Sequence, residues 1–306
     1  MNIAVLSDTR LPTKSSGGHG LGRVAWDLAE ALSKRGHMVR LYAGYGSEWP
    51  EPFALREHGC TETERAERLA KAEITYDAWV DLSHFHDLSR LRPSWPVVNY
   101  VMDTECAWQP PRAVVVNEWG RRQHPNARIV PLGIDVDRIW FAAGPGVHRR
   151  LVYCHKLHAN KGVDLALQVA ERAGRALWLA GELFGPAPAG WRGVIGKDAD
   201  LYTFLGDAEG LLSPTREDSG GRVNLESAAC GTPVLTFDWT GTQHHVEHGV
   251  SGFICRDVDE MVDAVADLPL LDRAKVRQWA ADTHSLKGMI DGIEALALAA
   301  RDGETW

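Results

Sequence analysis

The sequence predicts an α/β protein built from two Rossmann-like domains. Three observations lead there. Short apolar runs alternate with stretches of helical period, the alternation restarts after a Gly- and Pro-containing segment near residues 135–150, and 306 residues suffice for two compact domains. Such alternation favours parallel sheets covered by helices on both faces.

Residues 3–6 form the first expected strand, and residues 8–22 are polar and Gly-rich. Val24, Leu28, Ala31 and Leu32 then repeat at helical spacing over residues 23–35, and Gly36 stops that helix. Residues 39–43 are the second strand. Residues 47–76 are less regular and hold one exposed helix at 61–72. Further strands are expected at 79–82, 97–101, 114–116 and 129–131. In the second domain, strands fall at 151–154, 176–180, 210–213 and 234–237, with helices at 163–173, 200–208, 223–230 and 258–266. Two more helices lie near 271–282 and 286–300. The expected division is 1–136, 137–285 and a C-terminal helix, 286–306, that packs back on the first domain.

Composition narrows the class. Hydrophobic residues make up 44% and charged residues 24%, and no run approaches the roughly 20 apolar residues needed to span a bilayer. The N-terminus has no basic stretch followed by an apolar core, so no signal peptide is expected. Five scattered cysteines without a CxxC pair read as reduced core thiols, which places the protein in the cytoplasm. The net charge of −8 disfavours broad binding to nucleic acid or anionic membrane.

Residues 214–233 carry the chemistry. They read Pro-Thr-Arg-Glu-Asp-Ser-Gly-Gly-Arg-Val-Asn-Leu-Glu-Ser-Ala-Ala-Cys-Gly-Thr-Pro: a strand end, a polar loop with two glycines, and a helix start. Free backbone N–H groups from Gly220 to Val223, together with about half a positive charge at a helix N-terminus, make an anion site suited to a diphosphate. Glu226, expected on the first turn, can accept bonds from the vicinal hydroxyls of a ribose. Asp218 can reach the hydroxyls of a bound sugar. A plain βα turn with an acidic cap is the bland alternative.

This pattern resembles the retaining glycosyltransferase family 4, whose fold is GT-B: two Rossmann-like domains facing a central cleft. The family places an acid, seven residues, a glutamate and a small-residue helix ending in Cys-Gly-Thr-Pro; here these are Asp218, Glu226 and residues 227–233. Glu217 competes with Asp218 for the first acid. Ser219, Gly220, Gly221, Arg222 and Val223 replace the usual Gly-Phe-Gly-Leu-Pro in the donor loop. Residues 155–162, His-Lys-Leu-His-Ala-Asn-Lys-Gly, resemble the family's Gly-Arg-Leu…Lys-Gly, with Lys156 and Lys161 as cations facing the diphosphate and His155 in the glycine position. Their positive charge would stabilise the departing nucleotide, although lysine lacks the bidentate fork of arginine. Residues 16–20 resemble the family's glycine-rich loop, which makes Gly17 and Gly18 donor-binding candidates.

The resemblance also implies acceptor-side candidates, His19, His86 and Asp103. His84 and His86 are too few for a metal site. The DxD triplets at 135–137, 198–200 and 257–259 read as a linker motif and two helix caps, so no metal or other cofactor is expected. The implied activity is retaining, metal-independent transfer of a sugar, a hexose above all, from a nucleotide-diphosphate sugar to a hydroxyl of a glycan, lipid-linked sugar or small molecule. Two alternatives stand. One is transfer to a hydroxylated base in DNA, with Arg112, Arg121, Arg122 and Arg128 supplying local basicity. The other is a non-catalytic sugar-nucleotide-binding protein.

Overall fold

The computed structural model describes residues 1–16, 20–47, 54–58 (backbone), 60–72, 74–102, 106, 108–141 and 150–306. The chain divides into two compact units, Met1–Pro131 with Lys287–Trp306, and Leu132–Leu286.

The first unit runs β1 (Asn2–Leu6), α1 (Gly20–Lys34), β2 (Met38–Gly44), β3 (Ala54–His58), α2 (Glu62–Lys71), β4 (Ala78–Asp81), α3 (Asp87–Leu91), β5 (Val97–Val101), β6 (Ala113–Val115), α4 (Glu118–Gln123) and β7 (Arg128–Ile129). The second runs β8 (Arg150–Cys154), α5 (Val163–Arg172), β9 (Ala176–Ala180), α6 (Asp198–Gly206), β10 (Gly210–Ser213), α7 (Arg222–Ala229), β11 (Val234–Phe237), β12 (Gly252–Cys255), α8 (Val258–Asp267) and α9 (Arg273–Thr283). Helix α10 (Leu286–Arg301) then returns to the first unit, where Arg35 pairs with Asp291 at 2.6 Å and with Glu294.

The first sheet has seven strands in the order β3-β2-β1-β4-β5-β6-β7, and the second has five in the order β12-β11-β10-β8-β9. All described pairings are parallel, as in Ile3 opposite both Val39 and Ala78, or Leu211 opposite both Val152 and Val234. Strands buried on both faces explain the continuous apolar runs in the sequence. Tyr153, Leu212, Leu235 and Phe237, for example, are fully buried in the core of the second unit. Each sheet reverses its winding once, between β1 and β4 in the first and between β8 and β10 in the second. Loops that leave adjacent strand ends in opposite directions open a crevice there, the usual ligand position in such sheets.

Several local expectations are corrected. Strands β3 and β12 and helices α3 and α4 were not anticipated. Helix α2 is not an exposed helix. A capping box between Thr61 and Glu64 starts it, and Glu62, Arg65, Ala66, Leu69 and Ala70 are buried. Arg65 reaches the carbonyls of Ser7 and Tyr42, which ties α2 to the ends of β1 and β2. Asp257 does cap α8, accepting from the Glu260 N–H, but the cap of α6 is Lys197, with Asp198 and Asp200 inside its first turn. The five thiols are free; Cys106, Cys230 and Cys255 are buried, whereas Cys60 and Cys154 are only partly so. No helix among the described residues is long and apolar enough to cross a membrane.

Candidate functional site

The crevice at the C-terminal ends of β8 and β10 collects most of the expected donor residues. Two loops meet there, residues 155–162 after β8 and 214–221 after β10. Their backbones are laced together: the Arg216 and Glu217 N–H groups donate to the Asn160 carbonyl at 2.8 and 3.3 Å. Arg216 adds a two-pronged pair with Asp164, 2.7 Å on each prong, and a bond to the Ala159 carbonyl at 2.6 Å. Below them, the buried Tyr153 hydroxyl contacts the carbonyls of both Lys156 and Lys161 at 3.0 Å. Tyr153 thus sets the positions of both expected cations from inside the strand.

Gly162 shows why this loop needs its glycine. Its φ is +70°, and a Cβ would sit 1.9 Å from the Pro214 carbonyl oxygen. Side chains rarely adopt that backbone region, and no space exists for one.

Lys161 and Asp218 form an ion pair of 2.7 Å, with the Asp218 side chain 16% exposed. The other carboxylate oxygen of Asp218 accepts the N–H groups of Gly220 and Gly221 at 3.1 and 3.2 Å. Burial alone would raise the Asp218 carboxyl; the Lys161 ammonium, the nearby His155 and the Gly220 N–H outweigh it and hold the pKa below its ordinary value. Glu217, the competing acid, is exposed and takes a bond from the Asn160 amide instead. Geometry therefore puts Asp218, not Glu217, beside Lys161.

The same bonds correct one expectation. The N–H groups of Gly220 and Gly221 are not free for a ligand, because Asp218 already holds them. The first turn of α7, beginning at Arg222, follows this loop directly. Gly221 is the N-cap, with no side-chain cap over the helix end. Ser219 is buried behind the loop, where Gly241 packs against it.

Glu226 lies on the second turn of α7, one turn later than expected. It is 8% exposed and pairs with Arg222 at 2.9 Å, four residues earlier on the helix. Its charge helps burial to push the Cys154 thiol up to about 12, which places the carboxylate near the end of β8. Lys156 is exposed beside the crevice. His155, in the family's glycine position, contacts Ser213 Oγ through Nε2 at 3.2 Å. His245 is buried and stands edge-on to His284, with ring centroids 5.1 Å apart.

The crevice between β1 and β4 in the first unit holds a compact polar group. His84 Nδ1 meets Glu62 at 3.0 Å, Arg10 contacts His84 Nε2, and Arg10 pairs with Asp8 at 3.3 Å. Ligand atoms of Asp8, Glu62 and His84 lie within 4.8 Å of one another, a spacing that would also suit a cation; in the structure the Arg10 guanidinium sits against them. His86, expected on the acceptor side, packs into the interior. It is 1% exposed, turned inward at φ +50° before α3, and burial lowers its pKa. Phe85, between the two histidines, is the exposed residue of that turn. Gly17, Gly18, His19 and Asp103 lie outside the described residues.

Of the four arginines invoked for DNA, three are engaged within the unit. Arg112 is buried and donates to the Glu304 carbonyl at 2.8 Å, Arg121 pairs with Glu118 at 2.8 Å, and Arg128 stacks on Trp306 at 4.3 Å.

Sequence reasoning missed Tyr153, Ser213 and the Arg216–Asp164 and Arg222–Glu226 pairs. The last was readable as an i, i+4 pair of opposite charge. The Ser213–His155 contact and the Arg216–Asp164 pair join residues 58 and 52 apart in the chain, and Tyr153 acts through its hydroxyl on nearby backbone carbonyls, which no sequence pattern marks.

Residues 148–269, two fifths of the chain, match the family described as Glycosyl transferases group 1. A stretch of 101 residues is 37% identical to the D-inositol 3-phosphate glycosyltransferase of Thermobispora bispora, covering 33% of this chain and 20% of that protein. The chain thus spans about a fifth of the length of that curated relative. Among solved structures, AviGT4, a glycosyltransferase involved in avilamycin A biosynthesis, superposes with a TM-score of 0.78 at 20% identity, covering 100% of this chain and 99% of the other. Sucrose-phosphate synthase from Thermosynechococcus elongatus gives 0.71 at 16% identity, with 97% and 96% coverage. Anabaena Alr3699/HepE in complex with UDP and glucose gives 0.69 at 14% identity, with 96% and 98% coverage. The expected fold class is borne out: two parallel-sheet α/β units of the GT-B type.

Proposed function

We propose that this chain, whose residues 148–269 form a group 1 glycosyl transferase domain, transfers a sugar from a nucleotide-diphosphate sugar to a hydroxyl acceptor with retention of anomeric configuration. One observation carries the reading: Lys161, Asp218, the N-terminus of α7, which no side chain caps, and Glu226 converge on the crevice between β8 and β10. An anion site, a fixed cation and a carboxylate for vicinal hydroxyls are what a diphosphate flanked by two sugars requires. Anabaena HepE, with its bound UDP and glucose, is a structural neighbour consistent with this donor class.

In this reading the diphosphate lies against the first turn of α7, with Lys161 and Lys156 balancing its charge. Glu226 takes the ribose hydroxyls and Asp218 shapes the sugar end. As the glycosidic bond breaks, charge grows on the leaving phosphate, and the prearranged cations and amides stabilise it. No metal is required, because these groups do the work a cation would do. The acceptor is a hydroxyl compound, a glycan, a lipid-linked sugar or a small molecule, bound by the first unit in the cytoplasm. The internal engagement of Arg112, Arg121 and Arg128 favours these over DNA.

A thermal-shift screen against UDP-, GDP- and ADP-sugars tests the donor class, since a bound ligand raises stability in proportion to its saturation. One nucleotide series is expected to stabilise the protein, and Glu226→Ala to abolish that effect. Stabilisation by none, or an unchanged response in Glu226→Ala, would sink the assignment. The anomeric configuration of the product, read by NMR with the acceptor that turns over, decides retention.

A further inference from the structure

We propose that His155 donates a hydrogen bond from Nδ1 to the distal phosphoryl group of a bound nucleoside diphosphate, at a position where the resembled family carries glycine. The inference rests on the donor-site reading above and assigns its unexplained residue.

Position comes first. His155 follows the last residue of β8 directly, so its side chain leaves the strand at the mouth of the β8–β10 crevice. Its ring reaches Ser213, the last residue of β10, from which the loop carrying Asp218 departs. His155 therefore stands on the side of that loop, where the proposed donor has its sugar end. The phosphoryl group it meets there is the distal one, which carries the bond that breaks.

The ring is held on two sides. Nε2 lies 3.2 Å from the hydroxyl of Ser213, which is fully buried, and the ring packs edge-on against Tyr153 with centroids 5.2 Å apart. The residue is half-buried, and Nδ1, unlike the enclosed nitrogens of His245, is not sealed from solvent.

The chemistry follows. Burial pushes the imidazole down to about 4, an effect that Asp218 opposes and Lys161 reinforces, so the ring is neutral at pH 7. A neutral imidazole has one accepting nitrogen and one N–H. In the proposed complex the Ser213 hydroxyl donates to Nε2 and the ring proton resides on Nδ1, the nitrogen that Ser213 leaves open. The site thus gains a directed, uncharged donor where lysine in place of arginine has lost a bidentate fork. Ser213 acts as a positioning residue that holds the ring in place through Nε2.

Isothermal titration calorimetry at pH 7 tests this. UDP, GDP and ADP are titrated into the wild-type protein, and the tightest is compared with its monophosphate. His155→Phe keeps the ring against Tyr153 and removes the donor. It is expected to weaken the diphosphate about 10- to 100-fold, the worth of a hydrogen bond to a charged group, and the monophosphate by less than about 3-fold. His155→Asn returns an N–H close to Nδ1 and is expected to recover most of that loss, which a merely structural role would not. Ser213→Ala, by loosening the ring, is expected to cost a few-fold. Equal weakening of both nucleotides, or diphosphate affinity in His155→Phe within about 3-fold of wild type, overturns the proposal while the donor site stands. Failure of the wild type to bind any of the three diphosphates overturns the donor site, and this inference with it.

Discussion

Replacing Asp218 with alanine removes three interactions at once: the 2.7 Å pair with Lys161 and the bonds from Gly220 and Gly221 at 3.1 and 3.2 Å. The Lys161 side chain is 28% exposed and that of Asp218 16%, so the pair is partly screened and is worth about 1 kcal/mol. The two N–H groups donate to a charged acceptor at the long end of the range, together worth about 2 kcal/mol. The expected loss is then about 3 kcal/mol, which for a unit of this size lowers its melting temperature by about 6–12 °C. Asp218→Asn keeps an oxygen for both glycine amides and loses only the charge, so its expected cost is about 1 kcal/mol, or 2–4 °C. Acid adds a second signature. The pKa of Asp218 is depressed in the folded protein. Its contribution is therefore complete above the ordinary carboxyl range near 4 and is lost as pH falls through the lower folded value. The gap between wild type and Asp218→Ala should be constant from pH 7 to about 5 and shrink below about 4. Melting curves followed by circular dichroism across that range read both effects. An Asp218→Ala protein melting within 2 °C of wild type at pH 7, or a gap unaffected by acid, would refute the view that this carboxylate organises the donor loop.

Other substitutions probe the same architecture. Gly162→Ala should cost at least about 3 kcal/mol, since its Cβ has no room beside the Pro214 carbonyl, and a soluble protein with a wild-type melting temperature would contradict the loop geometry. Tyr153→Phe removes the hydroxyl between the Lys156 and Lys161 carbonyls; a loss of about 1–2 kcal/mol in urea denaturation, with weaker diphosphate binding, is expected. Turnover with the preferred donor should survive excess EDTA and gain nothing from added Mg²⁺ or Mn²⁺; loss of activity on chelation, restored by a metal, would overturn the metal-free proposal.

Much of this protein is written locally. The apolar runs that became β5, β10 and β11 matched their expected bounds because strands buried on both faces need no partner to be recognised. The donor loop was legible for a related reason: two glycines before a small-residue helix signal a close backbone approach wherever they occur. By contrast, nothing in the sequence around Gly252 marks a strand. It opens β12, and its missing Cβ is what lets the strand approach the Val234 carbonyl, where a Cβ would fall 1.9 Å away. A glycine serving a turn and a glycine serving a close strand pairing are the same letter.

The sequence by itself determined the α/β class and the two-part winding, and it singled out the segment for which we propose a diphosphate site, because periodicity and glycine placement are properties of neighbouring residues. The tertiary structure alone decided which polar groups remain available in that segment. Lys161 reaches Asp218 across 57 residues, and that carboxylate in turn takes the N–H groups of Gly220 and Gly221 that the sequence had left open. His86, close to His84 in the chain, turned into the core instead of toward a ligand. Parallel pairing brings distant strand ends side by side, and only there is it fixed which donors are satisfied within the protein and which still face the crevice.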